Sequence, residues 1–389
     1  AARTRRRPAR DADPTQVTRP MTLDHGRVIV EVDFVRPDGG TRAARVWVDT
    51  GGESLMLGRD LARDLGIEHP DWPDSGAFST VAATSPAPAV RFGGLALDTA
   101  GLVVRVRDGA AVLPGIPAEA ALPARVLRRL CAVFDYPAGR LTLAPSGTLA
   151  PRGVAVPCRV NPATGLPMIA ATLDGADVPL GLDSGSAGTW LSDSLVTAWR
   201  SRHPEAPWAT GAAGSANFFG FAFEPAGTLL CLPHLGIGAT GADDVAALAL
   251  DPGFFRWYSR KSAGPVAGFL GANVLGRFRL TVDFARGASW WEPGPAPRTR
   301  DLDIVGLTLQ PGRAGGYTVV GVVARDAGPV VAGVQAGDLL MQVDSLGVSN
   351  ATMGEVIAAL RGEPGATRRL VLERDGRWFT VPATVTRLP

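Results

Sequence analysis

The feature that most constrains the fold is an internal repeat. Val126-Leu127-Arg128-Arg129-Leu130 leads through Phe134-Asp135-Tyr136 to Gly139 and Pro145. Val274-Leu275-Gly276-Arg277-Phe278 leads in the same way through Val282-Asp283-Phe284 to Gly287 and Pro293. The offset holds at 148 (274 − 126) across the whole segment. Upstream, Trp47-Val48-Asp49-Thr50-Gly51-Gly52 is echoed by Gly181-Leu182-Asp183-Ser184-Gly185-Ser186 at an offset of 134 (183 − 49). The second copy therefore carries 14 extra residues (148 − 134) between its two landmarks. One folding unit is written twice, and the copies are placed at 25–146 and 152–293, joined by the Pro/Gly-rich stretch 144–153.

The texture of each copy is that of short strands. A chain of 389 residues is too long for one ordinary core and suits two or three domains. Its 48 Gly and 32 Pro are scattered rather than periodic, which predicts many strands joined by turns and a mainly β protein. Residues 28–35 form a strand candidate, Pro37-Asp38-Gly39-Gly40 a turn, and 43–48 a returning strand that runs into Asp49. Helices are expected at 59–65 and 193–199, after each Asp loop. Beyond a linker stiffened by Pro293, Pro295 and Pro297, residues 301–389 predict one small β/α domain. Its strands are expected at 317–323, 339–343, 369–374 and 378–381, with a helix over 352–360 capped by Asn350 and closed by Gly362.

Composition excludes several function classes. The net charge is +2, and the basic excess sits in Arg3, Arg5, Arg6, Arg7 and Arg10, so no basic face exists of the kind nucleic acid requires. No apolar run reaches the ~20 residues that cross a bilayer, so no transmembrane segment is expected. Residues 1–24 read as a flexible Arg/Pro-rich tail. The Ala1-Ala2 start reads like a mature end after a removed signal or anchor, which predicts a secreted or periplasmic protein of a bacterial-type cell envelope. Cys131, Cys158 and Cys231 show no C-x-x-C spacing; thiolate zinc is not expected, and a Cys158–Cys231 bridge is the one disulfide considered.

A strand that delivers Asp-Thr/Ser-Gly has a chemical logic. The Gly permits a tight turn that brings backbone N–H groups to the carboxylate, and the hydroxyl can tie the loop to a partner. Two such loops face to face would hold two carboxyl groups over one water. Like charges so close cannot both ionise readily, so the pair keeps one proton. One member can then act as general base while the other polarises a carbonyl, without metal, cofactor or covalent intermediate.

These motifs resemble the pepsin/retropepsin clan of aspartic peptidases. Val48-Asp49-Thr50-Gly51 and Leu182-Asp183-Ser184-Gly185 match its catalytic loop, and Phe269-Leu270-Gly271 matches the element that supports such a loop. The resemblance implies a bilobal, pepsin-like fold and an aspartic endopeptidase whose catalytic pair is Asp49 and Asp183. Thr50 and Ser184 would bond across the lobes, Gly51 and Gly185 would shape the loops, and Leu270 and Gly271 would support the second. Polypeptide substrates would lie extended between the lobes, under a flap at 76–91 or 211–223. Two complete lobes imply an active monomer. The first lobe departs from the pattern, showing Ala121-Leu122-Pro123 or Leu113-Pro114-Gly115 where the supporting element belongs. No counterpart of the pepsin flap tyrosine is evident, the tyrosines being Tyr136, Tyr258 and Tyr317.

Residues 301–389 resemble a PDZ domain. Val305-Gly306-Leu307-Thr308-Leu309 is similar to its carboxylate-binding loop, and Ala336-Gly337-Asp338-Leu339 to the Gly-Asp strand of bacterial PDZ modules. The resemblance implies that Gly306, Leu307, Thr308 and Leu309 receive a peptide C-terminus, with Met353, Val356 or Ile357 lining the pocket. Such modules often accompany serine peptidases. Yet the sequence has no G-x-S-x-G elbow, a single lysine (Lys261), no H-E-x-x-H, and four histidines (His25, His69, His203, His234) in turn or loop contexts. The rival reading is a bilobal scaffold that captures peptides without cutting them.

Overall fold

In the computed structural model, residues 15–71, 80–212, 214–215, 227–262, 264–295, 300–312, 315–325 and 328–389 are described. The protein is mainly β, and the repeat is visible in its strands. Leu130–Asp135 and Phe278–Asp283 are related by 148 at both ends, as are Arg140–Pro145 and Ala288–Pro293. The first two pair antiparallel, with Cys131 opposite Asp283, Val133 opposite Thr281 and Asp135 opposite Arg279. Exchanging the copies maps the first pair onto the third and leaves Val133–Thr281 in place. A local two-fold axis therefore passes through that pair.

This seam is the middle of a six-strand floor. Its order is Val17–Pro20, Arg140–Pro145, Leu130–Asp135, Phe278–Asp283, Ala288–Pro293 and Val154–Val160. Alternation drives one face inward: Phe134, Leu141, Leu143, Phe278, Leu280 and Trp291 are buried, and Trp291 meets Phe278 edge-on at 5.1 Å. The tail expected over 1–24 is shorter than predicted. Val17–Pro20 zips onto Arg140–Pro145 and Thr22–Asp24 onto Arg27–Val35. These are edge strands held by backbone hydrogen bonds, with mostly exposed side chains that leave no apolar pattern in the sequence. Residues 1–14 lie outside the described residues.

Above the floor, each half repeats one topology. In the first, Arg27–Val35 and Thr41–Asp49 form a hairpin, Val35 opposite Thr41. Val28, Val30, Val32 and Phe34 point into the core, the period-2 pattern the sequence displayed. Thr41–Asp49 then pairs parallel with Ala120–Pro123, which lies antiparallel to Leu55–Gly58. In the second, Pro167–Leu173 and Ala176–Leu182 form the hairpin, Gly268–Leu270 is the parallel partner, and Thr189–Ser192 lies antiparallel to that. Leu55 opposes Val104 as Thr189 opposes Ala247, so nine of the 14 inserted residues fall before this pairing (247 − 104 = 143, against 134). The other five (148 − 143) fall after it. They turn the first half's loop 108–119 into a passage containing the helix Pro252–Lys261 in the second.

The last domain packs its sheet on the helix Met353–Leu360. Strands form at Leu307–Pro311, Tyr317–Val322, Leu339–Val343, Thr367–Arg374 and Arg377–Thr384. The helix cap is Thr352 rather than Asn350. Its hydroxyl accepts from Glu355 N while Glu355 accepts from Thr352 N, a capping box that a reading of Asn350 alone passes over. Gly362 does not close the helix either; Arg361 leaves it in an extended conformation. The domain's core is continuous with second-half residues such as Ala209, Leu229 and Phe255. Met353 N donates to Gly115 O at 2.8 Å and Gly354 N to Asp24 Oδ1 at 3.0 Å, so the helix start is also tied to the first half. Cys131, Cys158 and Cys231 are all free, so the candidate bridge is not formed. Among the described residues no helix is long and apolar enough to cross a membrane.

Candidate active site

The two Asp loops meet at the two-fold axis. Thr50 Oγ1 donates to Leu182 O at 2.6 Å and accepts from Ser184 N at 2.9 Å. Ser184 Oγ donates to Val48 O at 2.7 Å and accepts from Thr50 N at 3.3 Å. The ring is reciprocal because the loops are copies: whatever one hydroxyl does to the opposite backbone, the other returns. Thr50 and Ser184 are both buried, so all four bonds are made away from water.

This interlock brings Asp49 and Asp183 together, the carboxyl of each lying against the glycine of the opposite loop, Asp183 at Gly51 and Asp49 at Gly185. Gly51 and Gly52 N–H groups face Asp49; Gly185 N donates to Asp183 Oδ1 at 2.8 Å, and Gly51 N–H also serves Asp183. Glycine is required at both crossing points. A Cβ on Gly51 would lie 2.7 Å from Asp183 Cγ, and one on Gly185 would overlap Asp49 Oδ1.

The surroundings are apolar on both sides. Trp47 lies on the same strand face as Asp49 and packs with Ile29, Val112, Leu113, Ile116 and Ala121. Beside Asp183, Phe254, Phe255 and Tyr258 of the Pro252–Lys261 helix crowd Phe269. Burial in this setting raises both carboxyls above the ordinary range. Asp49 is pushed well up, first by desolvation and then by the charge and hydrogen bond of Asp183. Asp183 rises to about 6, desolvation outweighing the bonds from Gly185, Asp49 and Gly51 that favour its ionised form.

The supporting elements are equivalent. Ala120–Pro123 and Gly268–Leu270 both run parallel to their Asp strands, Leu122 facing Val48 as Leu270 faces Leu182. Leu122 and Pro123 thus stand at the 148 offset from Leu270 and Gly271. The first half uses proline where the second uses glycine, which is why its sequence looked irregular; Leu113-Pro114-Gly115 belongs to the loop instead. Leu270 O accepts from Asp183 N at 3.0 Å, and Gly271 packs against the Gly188 backbone.

Two neighbours of the pair left no recognisable motif in the sequence. Tyr258 OH donates to Gly51 O at 3.1 Å, and Lys261 on the same helix pairs with Glu53 at 2.8 Å, so an insertion of the second half grips the first half's loop. Arg27 is buried at 2% exposure, and its Nε donates to Gly185 O at 3.1 Å. An apolar alternation interrupted by Arg27 at the head of a strand was the available signal.

The C-terminal residues singled out from sequence do not join this site. Leu307, Thr308, Leu309, Met353, Val356 and Ile357 are all within 1% of fully buried, and Gly306 packs against Val330 and Val323. Gly214–Ser215 pairs parallel with Thr308 and Leu309, and the Thr308 hydroxyl donates to Ala212 O. The edge expected to receive a peptide is therefore taken by the chain itself. Of the flap candidates, 76–79, 213 and 216–223 lie outside the described residues. Thr80–Ala82 is an edge strand on Val104–Arg107.

No family model matches the sequence, and no curated protein matches it. Among solved structures, the crystal structure of Basic 7S globulin from soybean is similar at 13% identity. The match covers 72% of this chain and 94% of that one, with a TM-score of 0.38. The interlocked acid pair stands independently of that likeness.

Proposed function

We propose that the chain is an aspartic endopeptidase. The observation that carries this reading is the pair itself: two buried carboxyl groups on loops interlocked by Thr50 and Ser184, each lying against the other loop's glycine in apolar surroundings. Such a pair holds one proton between two acids over a range of pH. A water seated on it loses a proton to the ionised member as its oxygen attacks the scissile carbonyl. The protonated member donates to the carbonyl oxygen, and collapse of the tetrahedral adduct returns a proton to the leaving amine. Polypeptides are the substrate class, extended between the halves.

The C-terminal domain is proposed as a PDZ-type module. Recruitment of peptide C-termini by strand addition would require Gly214–Ser215 to leave the Thr308–Leu309 edge, so its first role in this conformation is to brace the second half. Purified protein should cleave unfolded polypeptides, be blocked by statine-type mimics of the tetrahedral adduct, and lose activity in Asp49→Asn and in Asp183→Asn. Cleavage by both variants at the wild-type rate would refute the assignment and leave a peptide-capturing scaffold.

A further inference from the structure

The turn from Asp24 to Arg27 is a junction between all three parts of the molecule. Gly26 adopts φ +76° and lies so close to Ala272, at the start of the helix behind the Asp183 loop, that any side chain there would collide. Asp24, buried at 6% exposure, accepts from Gly354 N in the C-terminal helix. Arg27 reaches across to the Gly185 carbonyl, in the residue that also carries the N–H bound to Asp183 Oδ1. One residue, Gly185, held at its carbonyl by the guanidinium and at its N–H by the carboxyl, thus joins Arg27 to the acid.

We propose that Arg27 is a positioning residue for the acid pair: its guanidinium fixes the Asp183 loop through Gly185 and makes Asp183 the member that stays ionised. This rests on the peptidase reading. The asymmetry is built in, because the halves are copies yet, among the described residues, only the Asp183 loop has a carbonyl held by a buried cation. The charge acts on the same side, since Arg27 is among the influences that favour ionised Asp183, and Asp183 acts on Arg27 ahead of Asp49. The other ionisable groups facing this region do not replace it. Asp24 faces Arg27 with a carboxyl raised by burial, and His25 is held well below its usual range by burial, Arg27 and Arg361. Asp301 pairs with Arg361 at 3.3 Å, and the Tyr136 and Tyr258 hydroxyls are both pushed up by burial. None of these is a second cation on the pair.

The test is the pH dependence of kcat/KM for cleavage of an unfolded polypeptide, with Asp183→Asn run alongside. Arg27→Gln keeps a donor for Gly185 O and removes the charge. Its acid limb should move to higher pH by roughly half a unit or more, because an ionised Asp183 loses its countercharge. Arg27→Lys keeps the charge but not the guanidinium geometry, so its limb should hold while kcat falls. An unmoved limb in Arg27→Gln overturns the proposal; if that variant does not fold, a wild-type kcat in Arg27→Lys overturns it. Should Asp183→Asn cleave like wild type, the peptidase reading itself falls. Should it be inactive while the Arg27→Gln limb stays put, only the role of Arg27 falls.

Discussion

Thr50→Val is the most informative single perturbation of the interlock. The change keeps the side-chain shape and removes the hydroxyl that donates to Leu182 O at 2.6 Å and accepts from Ser184 N at 2.9 Å. Two buried backbone groups lose their partners, and each orphan costs about 1–3 kcal/mol, so the loss should be about 2–6 kcal/mol. Ser184→Ala orphans Val48 O and Thr50 N in the mirror-image way, at about the same cost. The double variant should lose less than the sum, by about 1 kcal/mol, because the first substitution already loosens the loops that the second would release. Urea unfolding followed by tryptophan fluorescence reads all four proteins. Activity should drop roughly ten- to a hundredfold in each single variant as the acids lose register. A Thr50→Val protein with the wild-type urea midpoint, or strictly additive losses, would refute the idea that these hydroxyls hold the halves together.

Other consequences follow from the same geometry. Tyr258→Phe removes the bond to Gly51 O and should cost about 1 kcal/mol, seen as a lower urea midpoint and a kcat/KM reduced about fivefold. Leu270→Ala, at a fully buried position behind the Asp183 loop, should cost about 2–5 kcal/mol by cavity formation, whereas the exposed Trp378→Ala should shift the midpoint little. The raised acids also set a pH trend. Between the unfolded value near 3.8 and about 6 the folded chain keeps a proton on Asp183 that the unfolded chain releases, and Asp49, raised well above the ordinary range, acts in the same direction, so the pair's contribution to stability falls as pH rises through that window. Asp98, Asp174 and Asp338, lowered by Arg128, His203 and Arg374, act below it. The Asp49→Asn/Asp183→Asn double variant should flatten the trend in melting temperature from pH 4 to 6; an unchanged slope would show that the pair is not its source.

Much of this architecture was legible because duplication writes it twice. Val133 and Thr281 sit on the axis that the constant offset demanded, and the alternation of Val28 to Phe34 predicted a strand with one buried face. What escaped was carried by backbone or by distant side chains. Val17–Pro20 is held through main-chain bonds that any residues could make, so nothing marks it in composition. Pro123 stands where Gly271 led one to expect glycine, since a parallel partner needs a backbone path rather than a particular residue. Arg27 and Tyr258 reach Gly185 and Gly51 across separations of 158 and 207 residues, beyond any local pattern. The residues around Thr308 were recognisable as a strand-and-loop unit, but their partner, Gly214–Ser215, carries no apolar or turn signature of its own.

The central claim is that Asp49 and Asp183 share one proton. Carboxyl-labelled aspartate followed by carbon NMR during a pH titration measures this directly. The account predicts that the two signals titrate together, with one step well above the ordinary aspartate range, and that Asp183→Asn collapses the coupled behaviour to a single step at Asp49. Two independent titrations near the ordinary value, each indifferent to substitution of the other, would contradict it.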